Sequence, residues 1–194
     1  MNTPAHVVLN LLCLGRSDRA AVLTPTIVGA VLPDLPMFFF YIVQKIRQIP
    51  EEVIWGQSYF QNHWQDFFDI FNSIPFMVVG LGICTWGGSR WGQLLFLSMI
   101  LHCLGDLPLH HDDGHRHFFP FSDWRFASPV SYWDPKHHGQ IVTVIEMLMV
   151  GIASLFLWRV YPSWQSKLTL GITDGIYLLY MIPFIHYFFR WTVF

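Results

Sequence analysis

Charge is what this chain has least of. Asp, Glu, Lys and Arg make up 12% of its 194 residues, about half the ~25% of a soluble domain. That is too little to cover a wet surface, and 53% of the residues are hydrophobic. The formal net charge is −2, so no basic field invites nucleic acid. Only three cysteines occur, Cys13, Cys84 and Cys103. All lie in apolar runs, without a C-x-x-C, so a disulfide framework and a thiolate zinc knot are both excluded, and all three are expected to be small buried hydrophobes. The start, with Asn2, Thr3, Pro4 and His6, lacks a basic segment and a small-residue cleavage site, so it is expected to be kept. There is no G-x-S-x-G, P-loop, G-x-G-x-x-G or H-E-x-x-H.

Apolar runs of near-membrane length are plentiful. The expected spans are residues 20–44, 74–88, 91–109, 140–158 and 168–189, with Pro183 kinking the last. The first of the central pair is short unless 67–72 extends it. The fold expected is therefore all-α: one polytopic helical membrane domain over 1–194, with about four to five membrane segments in a lipid bilayer. Residues 4–14 form a short N-terminal helix with Thr3 as N-cap, too short to cross and so interfacial or re-entrant. Residues 110–139 form an extramembrane His/Asp-rich loop. Lys and Arg divide almost evenly between the two sides, so orientation stays open, as does oligomeric state.

Polar groups are concentrated rather than spread. Of the ten histidines, His102, His110, His111, His115, His117, His137 and His138 lie between 102 and 138, with Asp106, Asp112, Asp113, Asp123 and Asp134. Ionisable groups this dense beside apolar spans are costly unless paired, wet or metal-bound. His102 and Asp106 are four apart, on one helix face. Pro108 removes a helix hydrogen bond, so that stripe is expected to end at Asp106, with His110 beginning the loop. Asp34 sits in GAVLPDLP, where two prolines interrupt a membrane-length run. It is either an intramembrane functional acid or the cap of the next helix, or both. Imidazole with carboxylate oxygen suits zinc, manganese or iron(II). Of adjacent His137 and His138, at most one reaches a common ion. Arg116 and Arg125 either bind an anionic substrate such as phosphate or pair with nearby aspartates. Glu146 and Asp174 are further buried-acid candidates, whereas His63 with Asp66 reads as a polar face.

The order Thr3-Pro4-x-His6, then Gly29-x-x-x-Pro33-Asp34, then His102-x-x-x-Asp106 resembles the bacterial inner-membrane family of metal-dependent hydrolases, itself distantly similar to the helical fold of zinc-dependent phospholipase C and P1 nuclease. The resemblance covers roughly residues 1–110. It implies a divalent metal, zinc first with manganese or iron as alternatives, on His6, Asp34, His102 and Asp106. His110 is added as a loop ligand. It also implies hydrolysis of a phosphoester or lipid-linked small substrate in the inner membrane, with Asp112, Asp113 or His115 as general base and Arg116 and Arg125 holding the anion. The family's T-H-S element is replaced by Phe71-Asn72-Ser73-Ile74-Pro75, so the site is either altered or supplied from the His-rich loop. The alternatives are a metal carrier using the same ligands without chemistry, and a membrane scaffold whose loop binds a partner or senses pH.

Overall fold

The computed structural model describes residues 1–15 and 17–192, with side chains up to Ile182. Among the described residues the chain is all-helical and contains no strand. Helix α1 (Thr3–Leu14) begins with Pro4 in its first turn, where a missing N–H costs nothing. Its N-cap is Asn2 rather than Thr3, and Asn2 makes no side-chain cap bond. The Thr3 hydroxyl instead donates to Asp34, and the Asn2 amide donates to Glu146 at 2.8 Å. Both side chains are therefore committed to long-range partners.

Helices α2 (Ala20–Val31) and α3 (Leu35–Ile46) are separated by a 3-10 turn, Leu32–Asp34. Pro33 and Pro36 deny the ladder its donors there. A short α4 (Glu51–Val53) continues as π-helical turns through Ser58. Helices α5 (Asn62–Phe71) and α6 (Ile74–Trp86) form one apolar stretch broken at Asn72–Ser73. Ser73 caps α6 through the Phe76 N–H. Helix α7 (Arg90–Asp106) ends at Asp106 and passes into a 3-10 turn, Leu107–Leu109, around Pro108. After the loop come α8 (Gly139–Val160) and α9 (Trp164–Thr192). Pro183 and its expected kink lie outside the residues whose side chains are described.

Four helical stretches are long and apolar enough to cross a membrane: Ala20–Ile46, Asn62–Trp86, Arg90–Leu109 and Gly139–Val160. Their outer faces carry large apolar groups that water would not favour; Ile83, Ile152 and Leu155 are each more than 60% exposed. Such continuous apolar surface is what a lipid-facing protein presents. Helix α1 does not lie on the outside of this bundle. It packs against α2, α7, α8 and α9, burying Ala5, Val8 and Leu11 with Ala30, Val150, Ala153 and Leu157. It is thus a core element that carries His6 inward. Of the cysteines only Cys103 is buried; Cys84 is partly covered and Cys13 is exposed. The expectation of three buried thiols fails because Cys13 and Cys84 sit on outward faces of their helices, where an apolar environment does not require burial in protein.

Candidate metal centre

The centre is assembled where α1, the α2–α3 break and the end of α7 meet. Gly29 lets α2 approach α7: a Cβ there would lie 2.3 Å from the Leu95 carbonyl oxygen. Ser98 donates to the Thr26 carbonyl at 2.6 Å, and Asn10 of α1 donates to the Ser98 hydroxyl and carbonyl at 2.9 and 2.8 Å. These contacts fix the three helices one to two turns from the polar cluster.

His102 is fully buried. Its Nδ1 lies 2.7 Å from the Ala30 carbonyl oxygen, which fixes the proton on Nδ1 and leaves Nε2 as an electron-pair donor. Nε2 stands 3.0 Å from Asp106 Oδ2 and 3.5 Å from Asp34 Oδ1, yet makes no hydrogen bond. The His6 ring stacks on His102, with centroids 3.6 Å apart and planes at 15°, and its Nε2 is 2.9 Å from Asp106 Oδ1. Burial drives the His6 pKa down to about 4 against the pull of Asp106, so His6 is a neutral imidazole near pH 7, the form that binds metal. One ligand atom from each of His6, His102 and Asp106 lies within 4.8 Å of the others. A buried, unpaired imidazole nitrogen beside two carboxylates is a costly arrangement for a structural role alone. The donor set of imidazole nitrogen and carboxylate oxygen fits a divalent transition ion.

Asp34 is the N-cap residue of α3 but makes no side-chain cap bond. Its carboxylate accepts from Thr3 and faces His102, so the capping alternative does not hold. His110 returns to the cluster through the 3-10 turn, its Nε2 3.5 Å from Asp106 Oδ1 and its Nδ1 3.0 Å from Asp113 Oδ2. Neither His110 nitrogen makes a hydrogen bond. Burial works to lower the His110 pKa, but Asp106 and then Asp113 outweigh it, and the group is pushed up to about 9. All five expected ligands are therefore brought together.

Above the cluster lies a cavity of about 650 Å³. Asp34, Asp106 and His110 form its floor, Asp112, Asp113, His115 and Tyr132 part of its wall, and Met37, Trp55, Tyr59, Phe60 and Trp133 an apolar side. Asp112 is exposed and Asp113 half-buried. The Trp133 indole donates to Asp113 at 2.9 Å. His115 is buried with Nδ1 3.5 Å from Asp69.

The arginines lie elsewhere. Arg116 donates to Asp66, Asp69 and Asp123, and Arg125 to Gln65 and the Gly114 carbonyl. Both line an adjoining pocket of about 230 Å³ that shares Asp112 and Phe60 with the larger one. The pairing alternative thus describes Arg116, although two of its partners, Asp66 and Asp69, come from α5 rather than from the loop. Asn72 donates to the Pro33 and Phe68 carbonyls at 3.2 and 3.0 Å, so it braces the α2–α3 break and is no ligand. The histidines do not form one cluster: His111 stacks on His137, and His117 pairs with the Asn72 carbonyl. Glu146 is tied to Asn2, and Asp174 accepts from Ser154 at 2.7 Å. Sequence reasoning missed Asp69, which is fully buried. The acids at 66 and 69, one turn apart on an aromatic helix with no basic neighbour, were the available signal that a cation arrives from elsewhere.

No protein-family model, no curated protein and no solved structure matches the chain.

Proposed function

We propose that this protein is a metal-dependent hydrolase of the bacterial inner membrane, acting on a phosphoester or lipid-linked substrate. One observation carries the reading: His102 Nε2 is buried and unpartnered, with its other nitrogen fixed on a backbone carbonyl and a stacked histidine and two carboxylates beside it. The resemblance of the T-P-x-H, G-x-x-x-P-D and H-x-x-x-D elements to inner-membrane hydrolases supports the reaction class. His6, His102 and Asp106 hold the ion, with Asp34 and His110 adjacent. A divalent ion there, zinc first and manganese or iron(II) next, supplies a bound water of lowered pKa and a Lewis acid for a phosphoryl oxygen. Ala30 fixes the tautomer of His102, and Thr3 orients Asp34. Asp113 or His115 on the wall, or Asp112 at the rim, takes up the proton. The apolar side formed by Met37, Trp55 and Phe60 accommodates a hydrocarbon portion and excludes water.

Purified protein supplied with zinc or manganese is expected to hydrolyse a chromogenic phosphoester or a short-chain phospholipid, and the His102→Ala/Asp106→Ala variant is not. Absence of turnover by a protein that retains its ion would overturn the hydrolase and favour a carrier. A specific observation favours that second reading: no lysine or arginine lines the cavity among the described residues, whereas four aspartates do.

A further inference from the structure

The His102 arrangement recurs outside the cavity. His111 and His137, from opposite ends of the loop, stack with centroids 3.6 Å apart and planes at 19°, against 3.6 Å and 15° for His6 and His102. His111 Nδ1 lies 2.6 Å from the Ser128 carbonyl oxygen, as His102 Nδ1 lies 2.7 Å from that of Ala30. His137 Nδ1 lies 2.7 Å from Asp134 Oδ2, as His6 Nε2 lies 2.9 Å from Asp106. One ring of each pair is thus oriented by a backbone carbonyl and the other by a carboxylate. In His111 and His137 both Nδ1 atoms are occupied, so each neutral ring has Nε2 left as an electron-pair donor.

The acceptors are themselves fixed. Ser128 donates its N–H to the His110 carbonyl at 3.0 Å and its hydroxyl to the Pro108 carbonyl at 2.6 Å. Asp134 accepts the Lys136 N–H at 2.9 Å through its side chain and the Gly139 N–H at 2.9 Å through its carbonyl. An imidazole held by one nitrogen on a rigid acceptor has the form that metal-binding histidines take. Two nitrogens on one tetrahedral zinc, each ~2.05 Å from it, are about 3.4 Å apart, close to the stacking distance. Both rings are half-buried, so solvent reaches them and completes the shell.

We propose that His111 and His137 form a second, solvent-accessible site for a divalent transition ion of the zinc, nickel or copper class, distinct from the buried centre. Two imidazoles without a cage of oxygens select these ions over calcium or magnesium. An ion bound there ties the two ends of the loop that walls the cavity.

The test is zinc stoichiometry of the detergent-purified full chain after gel filtration, by elemental mass spectrometry. About two ions per chain are expected, falling to one in His111→Ala/His137→Ala and to one in His102→Ala/Asp106→Ala. If the buried centre binds nothing, a single ion that survives His102→Ala/Asp106→Ala and is lost with His111→Ala/His137→Ala still upholds the second site. An unchanged content in His111→Ala/His137→Ala, or a single ion lost with His102→Ala/Asp106→Ala, would overturn it. A second measurement needs no variant: zinc is expected to protect His111 and His137 of the unaltered protein from diethyl pyrocarbonate while exposed His63 still reacts. Equal modification of all three with and without zinc would also overturn the proposal.

Discussion

His102 and His115 both belong to the polar region between the spans and the loop, yet they are held in different ways. His102 stands on a regular helix, one turn before Asp106, and its ring is fixed by a carbonyl of the neighbouring helix. His115 stands in an irregular segment, beside an aspartate of α5 that also takes the Arg116 N–H and guanidinium. The floor of the cavity is built by helix packing, and the wall by long-range ion pairs. Floor variants should therefore act on metal affinity, and wall variants on the loop.

The largest effect on the wall is expected from Asp69→Ala. It removes the buried carboxylate that holds Arg116, a loss of about 3–5 kcal/mol for a broken buried pair. Limited proteolysis should then cut within the loop while metal content is kept; loss of the ion with the loop intact would erase the distinction between floor and wall.

His117 sharpens the comparison through pH. Burial first, then His115, pushes its pKa down to about 4, below the ~6.5 of an unfolded chain. The neutral ring therefore contributes stability that is fully present above pH 6.5 and is lost as pH falls toward 4. The difference amounts to about 3 kcal/mol at most. Denaturant unfolding at pH 7 and pH 4.5 should show the loss, and His117→Gln should remove this part of it.

Gly29→Ala acts on the floor. Its Cβ meets the Leu95 carbonyl and Ser98, which should cost about 1–3 kcal/mol and move the Ala30 carbonyl away from His102. Weaker metal binding with an intact loop is expected in competition with a chelator. The smallest effect belongs to the outer edge, where Lys45 and Glu51 form a half-exposed pair. Glu51→Gln should shift stability by no more than about 1 kcal/mol and leave metal binding unchanged.

The same contrast explains what could be read from the chain. The helical framework was legible because apolar runs and prolines act locally: Pro108 ends α7 at Asp106, and Pro33 breaks α2 from α3. The four-residue spacing of His102 and Asp106 was legible because helix periodicity puts both on one face. The carbonyl of Ala30 was not, since a backbone acceptor leaves no mark in side-chain chemistry. Arg116 was read as free to bind an anion because its partners Asp66 and Asp69 lie far away in the chain. The division of the histidines into stacked pairs was likewise hidden, since His6 meets His102, and His111 meets His137, only through the tertiary fold.

The account rests on the buried centre. The most direct measurement is the metal content of the purified His111→Ala/His137→Ala protein, beside the same protein with His102→Ala and Asp106→Ala added. The account predicts about one divalent ion per chain in the first and none in the second. An equal content in the two, or no ion in either after zinc and manganese are supplied, would contradict it.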